Sequence, residues 1–117
     1  MMEIGVDIVK ISRIKRLYEI YDEKFLKKIF HPQEQAALQS KKSLSCKSAY
    51  LSKRFAAKEA LFKATGKIIA AWNAIAVLNN ENGSPFVKID KKYNYNRKIK
   101  ISLSDELEYA IAQVIIL

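Results

Sequence analysis

The run Arg54-Phe55-Ala56-Ala57-Lys58-Glu59-Ala60-Leu61-Phe62-Lys63 contains neither glycine nor proline. Alanine, leucine, lysine, arginine and glutamate are the residues that lose least on entering a helix, so the run has one economical conformation. Side chains three and four positions apart share a helix face, which puts Leu51, Phe55, Lys58 and Phe62 on one stripe. Lys58 interrupts the apolar side of that stripe. Glu59 and Lys63 stand four apart at its border and project a carboxylate and an ammonium from the same side. In a solvated helix such a pair contributes only about 0.2–0.5 kcal/mol. The helix is expected to extend from about Lys47 to Thr65 and to stop at Gly66, a residue suited to helix ends.

A second acid stands in an unusual setting near the start. Ile4-Gly5-Val6-Asp7-Ile8-Val9 reads as a strand, and its two-residue period places Ile4, Val6 and Ile8 on one face and Gly5, Asp7 and Val9 on the other. Asp7 either faces water from a half-exposed strand or meets a partner. Converging with Glu59, it would hold a divalent cation. Mg²⁺ suits that arrangement, because it is often bound by one or two carboxylates while waters and substrate phosphates complete its shell. Gly5 permits a close approach to the backbone, and Lys58 and Lys63 would neutralise phosphate charge.

These residues carry a resemblance. Ile4-Gly5-Val6-Asp7-Ile8, Arg13-Ile14, Phe25, Arg54-Phe55-Ala56-Ala57-Lys58-Glu59-Ala60 with Lys63, Asn82-Gly83-Ser84-Pro85, Ser102-Leu103-Ser104 and Tyr109-Ala110-Ile111-Ala112-Gln113-Val114 follow one another in the chain. Together the pattern resembles the holo-acyl-carrier-protein synthases, the small 4'-phosphopantetheinyl transferases, over nearly the whole length. The resemblance implies transfer of the phosphopantetheine arm of coenzyme A to a serine of apo acyl carrier protein, with release of adenosine 3',5'-bisphosphate. It implies Mg²⁺ held by Asp7 and Glu59, phosphate contacts from Lys63 and Lys58, and coenzyme contacts from Arg54 and Gly66. Glu59 and Lys63 become the catalytic pair, with Glu59 either a plain ligand or the group that activates the serine through water. Acidic carrier proteins dock on a basic first helix in this family, and Arg13, Lys24, Phe25 and Lys28 occupy the matching positions. A homotrimer with sites at subunit interfaces is implied as well, without nucleic acid or membrane as a partner.

Two departures from the family pattern stand out. Asp105 follows Ser102-Leu103-Ser104 where the family usually has histidine facing the coenzyme, and a carboxylate beside polyphosphate opposes binding unless it is turned away or compensated. The family's glycine-rich segment after the main helix is reduced to Thr65-Gly66-Lys67-Ile68-Ile69.

Charge bears on partners independently of the resemblance. With 21 basic against 12 acidic residues in 117, the net charge is +9, which calls for an acidic partner. Nucleic acid, a membrane surface, a polyphosphate cofactor and an acidic protein satisfy that requirement equally. A basic nucleic-acid-binding domain is therefore an alternative, although no recognised glycine loop, zinc-ligand spacing or aromatic platform supports it. A catalytically impaired family member that still binds carrier is another. No apolar run approaches the roughly 20 residues of a membrane helix, and Met1-Met2-Glu3-Ile4 lacks the character of a signal peptide, so a cytoplasmic protein is expected. The single cysteine, Cys46, excludes an intramolecular disulfide and reads as inert.

The remaining pattern predicts one domain over residues 1–117. Ile11 to Phe30 reads as helical with a break near Asp22, and Arg13, Arg16, Lys24, Lys27 and Lys28 fall mostly on its polar side. Pro32 opens another helix, with His31 as a capping or surface residue. Lys41 to Ser45 reads as a loop. Beyond Ile68 the period shortens: Ala74–Leu78 and Pro85–Ile89 form a hairpin around Asn82-Gly83, and Lys98–Leu103 alternates. Tyr109–Leu117, nearly all apolar, is expected to be central or at a subunit contact. The fold class is α+β, with helices packed on one mostly antiparallel sheet.

Overall fold

In the computed structural model, which describes residues 1–117, strand β1 (Glu3–Lys10) runs directly into helix α1 (Ile11–Tyr21). Helices α2 (Glu23–Ile29), α3 (Pro32–Leu38) and α4 (Leu44–Thr65) follow, then strands β2 (Ile75–Asn79), β3 (Pro85–Ile89), β4 (Ile99–Glu106) and β5 (Tyr109–Ile116). The expected break between the first two helices falls at Asp22, whose φ of 43° takes the backbone out of the helical region. His31 caps α3: its Nδ1 accepts the Gln33 backbone N–H at 3.0 Å, and Glu34 Oε1 accepts the His31 backbone N–H at 2.9 Å. His31 Nε2 lies 3.0 Å from Asp90 Oδ1, so both ring nitrogens have structural partners. Helix α4 begins ahead of the expected Lys47, because the Ser43 hydroxyl accepts the Cys46 N–H and caps it. It ends as expected at Gly66, with φ of 73°. None of the helices is long and apolar enough to cross a membrane.

The α+β class holds, but the single expected sheet is two. One is three-stranded in the order β1-β5-β4, and the other is the β2-β3 hairpin. All pairings are antiparallel. The physical reason lies between β3 and β4, where a 3₁₀ turn at Lys91–Tyr93 and Asn94 at φ 51° redirect the chain. The two strands consequently lie side by side without a shared ladder. β5 is central, paired with β1 from Glu3↔Ile116 to Lys10↔Tyr109 and with β4 from Ile99↔Ile116 to Glu106↔Tyr109.

Helix α4 crosses the inner face of the three-stranded sheet. Ala56, Ala57, Ala60 and Ala64 on the helix and Ala110, Ala112 and Val114 on β5 are all buried, and their small size lets the layers close. Gly5 makes the tightest approach: a Cβ there would stand 2.0 Å from the Ala60 carbonyl oxygen and 2.8 Å from the Ala64 nitrogen. The close approach that Gly5 permits is thus taken up by the backbone of α4.

Lys58 corrects an expectation. Placed by resemblance on substrate phosphate, it is instead 0% exposed at the centre of the molecule, beside Glu34, also 0% exposed. Its Nζ donates to Glu34 Oε1 at 2.6 Å, to the Ile29 carbonyl at 2.8 Å and to the Trp72 carbonyl at 3.1 Å. An ammonium has three donors, so none remains for a phosphate. Glu34 Oε2 accepts the Val77 N–H at 2.9 Å, and the Tyr50 hydroxyl donates to the Glu34 carbonyl at 2.8 Å. Burial pulls the Lys58 pKa below its ordinary value, and the Glu34 carboxylate opposes that pull. One ion pair therefore ties α2, α3, the 3₁₀ turn at Trp72–Ala74 and β2 to the middle of α4.

Two stability measurements follow from this packing. Gly5→Ala should lower the urea midpoint by the equivalent of about 3 kcal/mol or more, the upper end of overpacking costs, because the added methyl meets backbone that has no room to yield. Lys58→Met should cost about 3–5 kcal/mol by stranding the Glu34 carboxylate in the core. A thermal midpoint for Lys58→Met equal to that of the unaltered chain would remove the buried pair from any structural role.

Candidate active site at the contact of β1 with α4

Asp7 follows Gly5 by two residues and so shares its inward face. The Gly5–Ala60 contact brings Asp7 against the last turns of α4, where Lys63 Nζ donates to Asp7 Oδ1 at 3.1 Å. The Asp7 side chain is 15% exposed and that of Lys63 57%, so the lysine reaches in from solvent. Glu59, one turn before Lys63, is half-buried and belongs to none of the ion pairs of the fold. Lys63 has turned to the strand and not to its neighbour on the helix. The result is one carboxylate paired with an exposed ammonium and a second left unpaired.

That donor set discriminates among metals. No group of three or more histidine, cysteine, aspartate or glutamate side chains is assembled to hold a metal ion. Structural zinc takes four protein ligands and calcium six to eight oxygens. Two carboxylates, Asp7 and Glu59, would leave most positions of any cation they held to waters and substrate oxygens, the coordination habit of Mg²⁺.

Arg54 lies elsewhere on α4. Its Nε donates to the Val77 carbonyl at 3.3 Å, a second nitrogen bonds the Asn79 side chain, and its Cζ stands 4.1 Å from the Tyr50 ring centroid. Burial pulls its pKa down, with Tyr50 and Glu34 acting the other way. The same burial pushes the Tyr50 hydroxyl up to about 12 against the pull of Arg54, which keeps it a donor at neutral pH. Arg54 lines a cleft of about 530 Å³ shared with Gln33, Lys41, Asn79 and Phe86. It also lines an adjoining recess of about 380 Å³ with Lys41, Cys46 and Lys53. Gly66 closes α4 in open surroundings, with nothing within 4 Å of a Cβ built there, and Lys67 and Ile68 beyond it are exposed.

The positions assigned to carrier docking gather on the α1–α2 face. Lys24, Phe25 and Lys28 line an apolar groove of about 440 Å³ together with Leu17, Tyr21 and Phe55. Phe25 is buried, edge-on to Phe30 with ring centroids 5.4 Å apart, and forms the floor of that groove. Arg13 is exposed beside it, its guanidinium carbon 5.7 Å from the Phe55 ring centroid.

Asp105 lies at the inward-facing end of β4 and is paired with Lys53 of α4 at 2.9 Å. Its charge is compensated by a residue that sequence reasoning did not single out. The acid at 105 was the visible signal, and its partner becomes visible only when α4 is laid against β4. Glu34 was missed for the same reason.

Comparison with known proteins places this geometry in context. A family model for the 4'-phosphopantetheinyl transferase superfamily matches residues 3–114. The holo-[acyl-carrier-protein] synthase of Chlorobaculum tepidum is 42% identical over 117 residues, covering 97% of both chains. Among solved structures, a holo-(acyl-carrier-protein) synthase from Bacillus anthracis in complex with CoA (3',5'-ADP) superposes with a TM-score of 0.86 at 29% identity, over 99% of this chain and 97% of that one. The holo-ACP-synthase of Plasmodium yoelii gives 0.83 at 35% identity, over 97% and 92%. With the strand acid, the helix acid and the full-length match in agreement, the chain belongs to the 4'-phosphopantetheinyl transferase superfamily.

Proposed function

We propose that this protein is a holo-[acyl-carrier-protein] synthase, which transfers the 4'-phosphopantetheine group of coenzyme A to a serine of apo acyl carrier protein. The observation that supports the reading is the Lys63–Asp7 pair at the glycine-tight contact of β1 with α4, one helical turn from Glu59. In the reaction, the serine oxygen bonds to the phosphorus that bears the pantetheine arm. The bond from that phosphorus to the bridging oxygen breaks, and adenosine 3',5'-bisphosphate leaves. Such a displacement needs charge neutralisation and alignment more than covalent help from the protein.

Each residue has a part that follows from its setting. Asp7 and Glu59 would hold Mg²⁺, which when bound neutralises charge on the diphosphate. Lys63, mostly exposed beyond its bond to Asp7, can meet a phosphate oxygen. Glu59, which has no ion-pair partner in the fold, serves either as a metal ligand alone or also activates the serine through water, while Arg54 and Gly66 are assigned to the coenzyme. Lys58 takes no part in phosphate binding and holds α4 in place from within. On the α1–α2 face, the apolar groove over Phe25 and the cations Arg13, Lys24 and Lys28 suit an acidic carrier that presents an apolar ridge.

The outer face of the three-stranded sheet supports a homotrimer with sites between subunits. Ile4, Val6 and Ile8 are 61%, 51% and 61% exposed, and Ile8 pairs with Ile111, itself exposed. A contiguous apolar sheet face of this kind marks an interaction surface.

Incubation with apo acyl carrier protein, coenzyme A and Mg²⁺ should add the mass of phosphopantetheine to the carrier, and EDTA should abolish the addition. Asp7→Asn and Glu59→Gln should each lower the rate by about 10²-fold or more with circular dichroism unchanged. Full activity in both variants would sink the site assignment. Ile8→Asp should convert the assembly to monomers in sedimentation velocity, and a trimer that survives it would place the subunit contact elsewhere.

A further inference from the structure

The recess beside Arg54 concentrates charge of one sign. Lys41, Lys53 and Arg54 line it with Cys46, Ala49, Tyr50 and Asn79, in a volume of about 380 Å³. Arg54 is held in place by the Val77 carbonyl, the Asn79 side chain and the Tyr50 ring. Lys41 lies over the same ring, its Nζ 5.3 Å from the centroid. Lys53 differs from both. Its ammonium has a single partner, Asp105 Oδ1 at 2.9 Å, and the pair is only partly shielded from solvent. An exposed pair of this kind is worth at most about 1 kcal/mol, so a more highly charged anion can break it. Asp105 comes from the end of β4, on the sheet that also carries Asp7 through β5.

We propose that Asp105 is an internal counter-ion for Lys53 and sets the affinity for coenzyme A. A coenzyme phosphate displaces the carboxylate, and Lys53 exchanges one anion for the other as the coenzyme enters. The inference rests on the transferase reading for the identity of the ligand. It also resolves the chemistry of an acid at position 105: the carboxylate competes with phosphate for a lysine and does not face the phosphate bare. Affinity is then weaker than the recess could provide, and product release correspondingly easier.

The test is calorimetric titration of the native assembly with coenzyme A at low and high salt. Asp105→Asn should tighten binding by about three- to fivefold, the scale of one exposed ion pair. Lys53→Ala should weaken binding, since it removes the cation and unmasks Asp105, and adding Asp105→Asn to Lys53→Ala should recover part of the loss. The difference between Asp105→Asn and the unaltered protein should shrink as salt rises. A merely structural pair would show lower thermal midpoints in both single variants and no gain in affinity. Unchanged or weaker binding by folded Asp105→Asn overturns the inference alone. Failure of the unaltered protein to bind coenzyme A at all overturns the transferase reading and this inference with it.

Discussion

Everything that locates the candidate site depends on how closely β1 lies against α4. At Gly5 the strand and helix backbones meet with no side chain between them, and a Cβ would stand 2.0 Å from the Ala60 oxygen. Ordinary packing of a helix on a sheet interposes side chains from both layers. Here alanines on the helix and a glycine on the strand remove them, and the shortened distance lets Asp7 reach Lys63 from the neighbouring element. The acid of the strand is thus placed by a residue whose whole contribution is the absence of a side chain. Dispersion and burial of small apolar groups hold the layers together, while the charged groups gather at the edge of the contact.

A second constraint fixes α4 along its length. The helix is enclosed by the sheet, α1, the short helices and the hairpin, so its polar residues must find partners within the protein. Lys58 does so through Glu34 and two carbonyls, and Arg54 through Val77, Asn79 and the face of Tyr50. Such partners confer little net stability over an apolar core of the same shape, but they admit few alternative arrangements. Glu59 and Lys63 sit toward the end of the helix that solvent reaches. One helix thus carries two cations held from within and, at its border, an acid and an ammonium that solvent reaches.

Much of this was legible in residue order. The glycine- and proline-free run, the acid in the first strand, the stop at Gly66 and the alternating strands all depend on local chemistry, and local chemistry is what a sequence displays. What escaped depends on pairings distant in the chain. Lys58 was visibly out of place on an apolar stripe, yet its partner stands 24 residues earlier in a seven-residue helix whose polar composition does not announce burial. The start of α4 was hidden by the polar residues around Ser43, which are themselves the cap. Division into two sheets was illegible because alternation identifies strands without stating which edges join. Asp105 looked like an electrostatic conflict with polyphosphate for the same reason: Lys53 meets it only through the packing of α4 on β4.

The excess of positive charge also acquires an explanation by position. Arg13, Lys24 and Lys28 lie around the α1–α2 groove, Lys41, Lys53 and Arg54 around the recess beside Tyr50, and Lys63 at the strand acid. On the proposed reading these are three different anions: an acidic protein surface, a coenzyme phosphate and the reacting diphosphate. They impose different demands. A protein surface is best met by exposed, mobile cations that steer approach and release quickly, and Lys24 and Lys28 are unpaired and exposed. Recognition inside a cleft favours cations already oriented, and there each one is stacked or paired. Net charge alone could not separate a carrier-binding enzyme from a nucleic-acid-binding domain. Its division between an apolar groove, a small recess and a pair of carboxylates favours the enzyme, because a nucleic-acid groove tracks a phosphate backbone with continuous charge, and no acid pair is needed for that task.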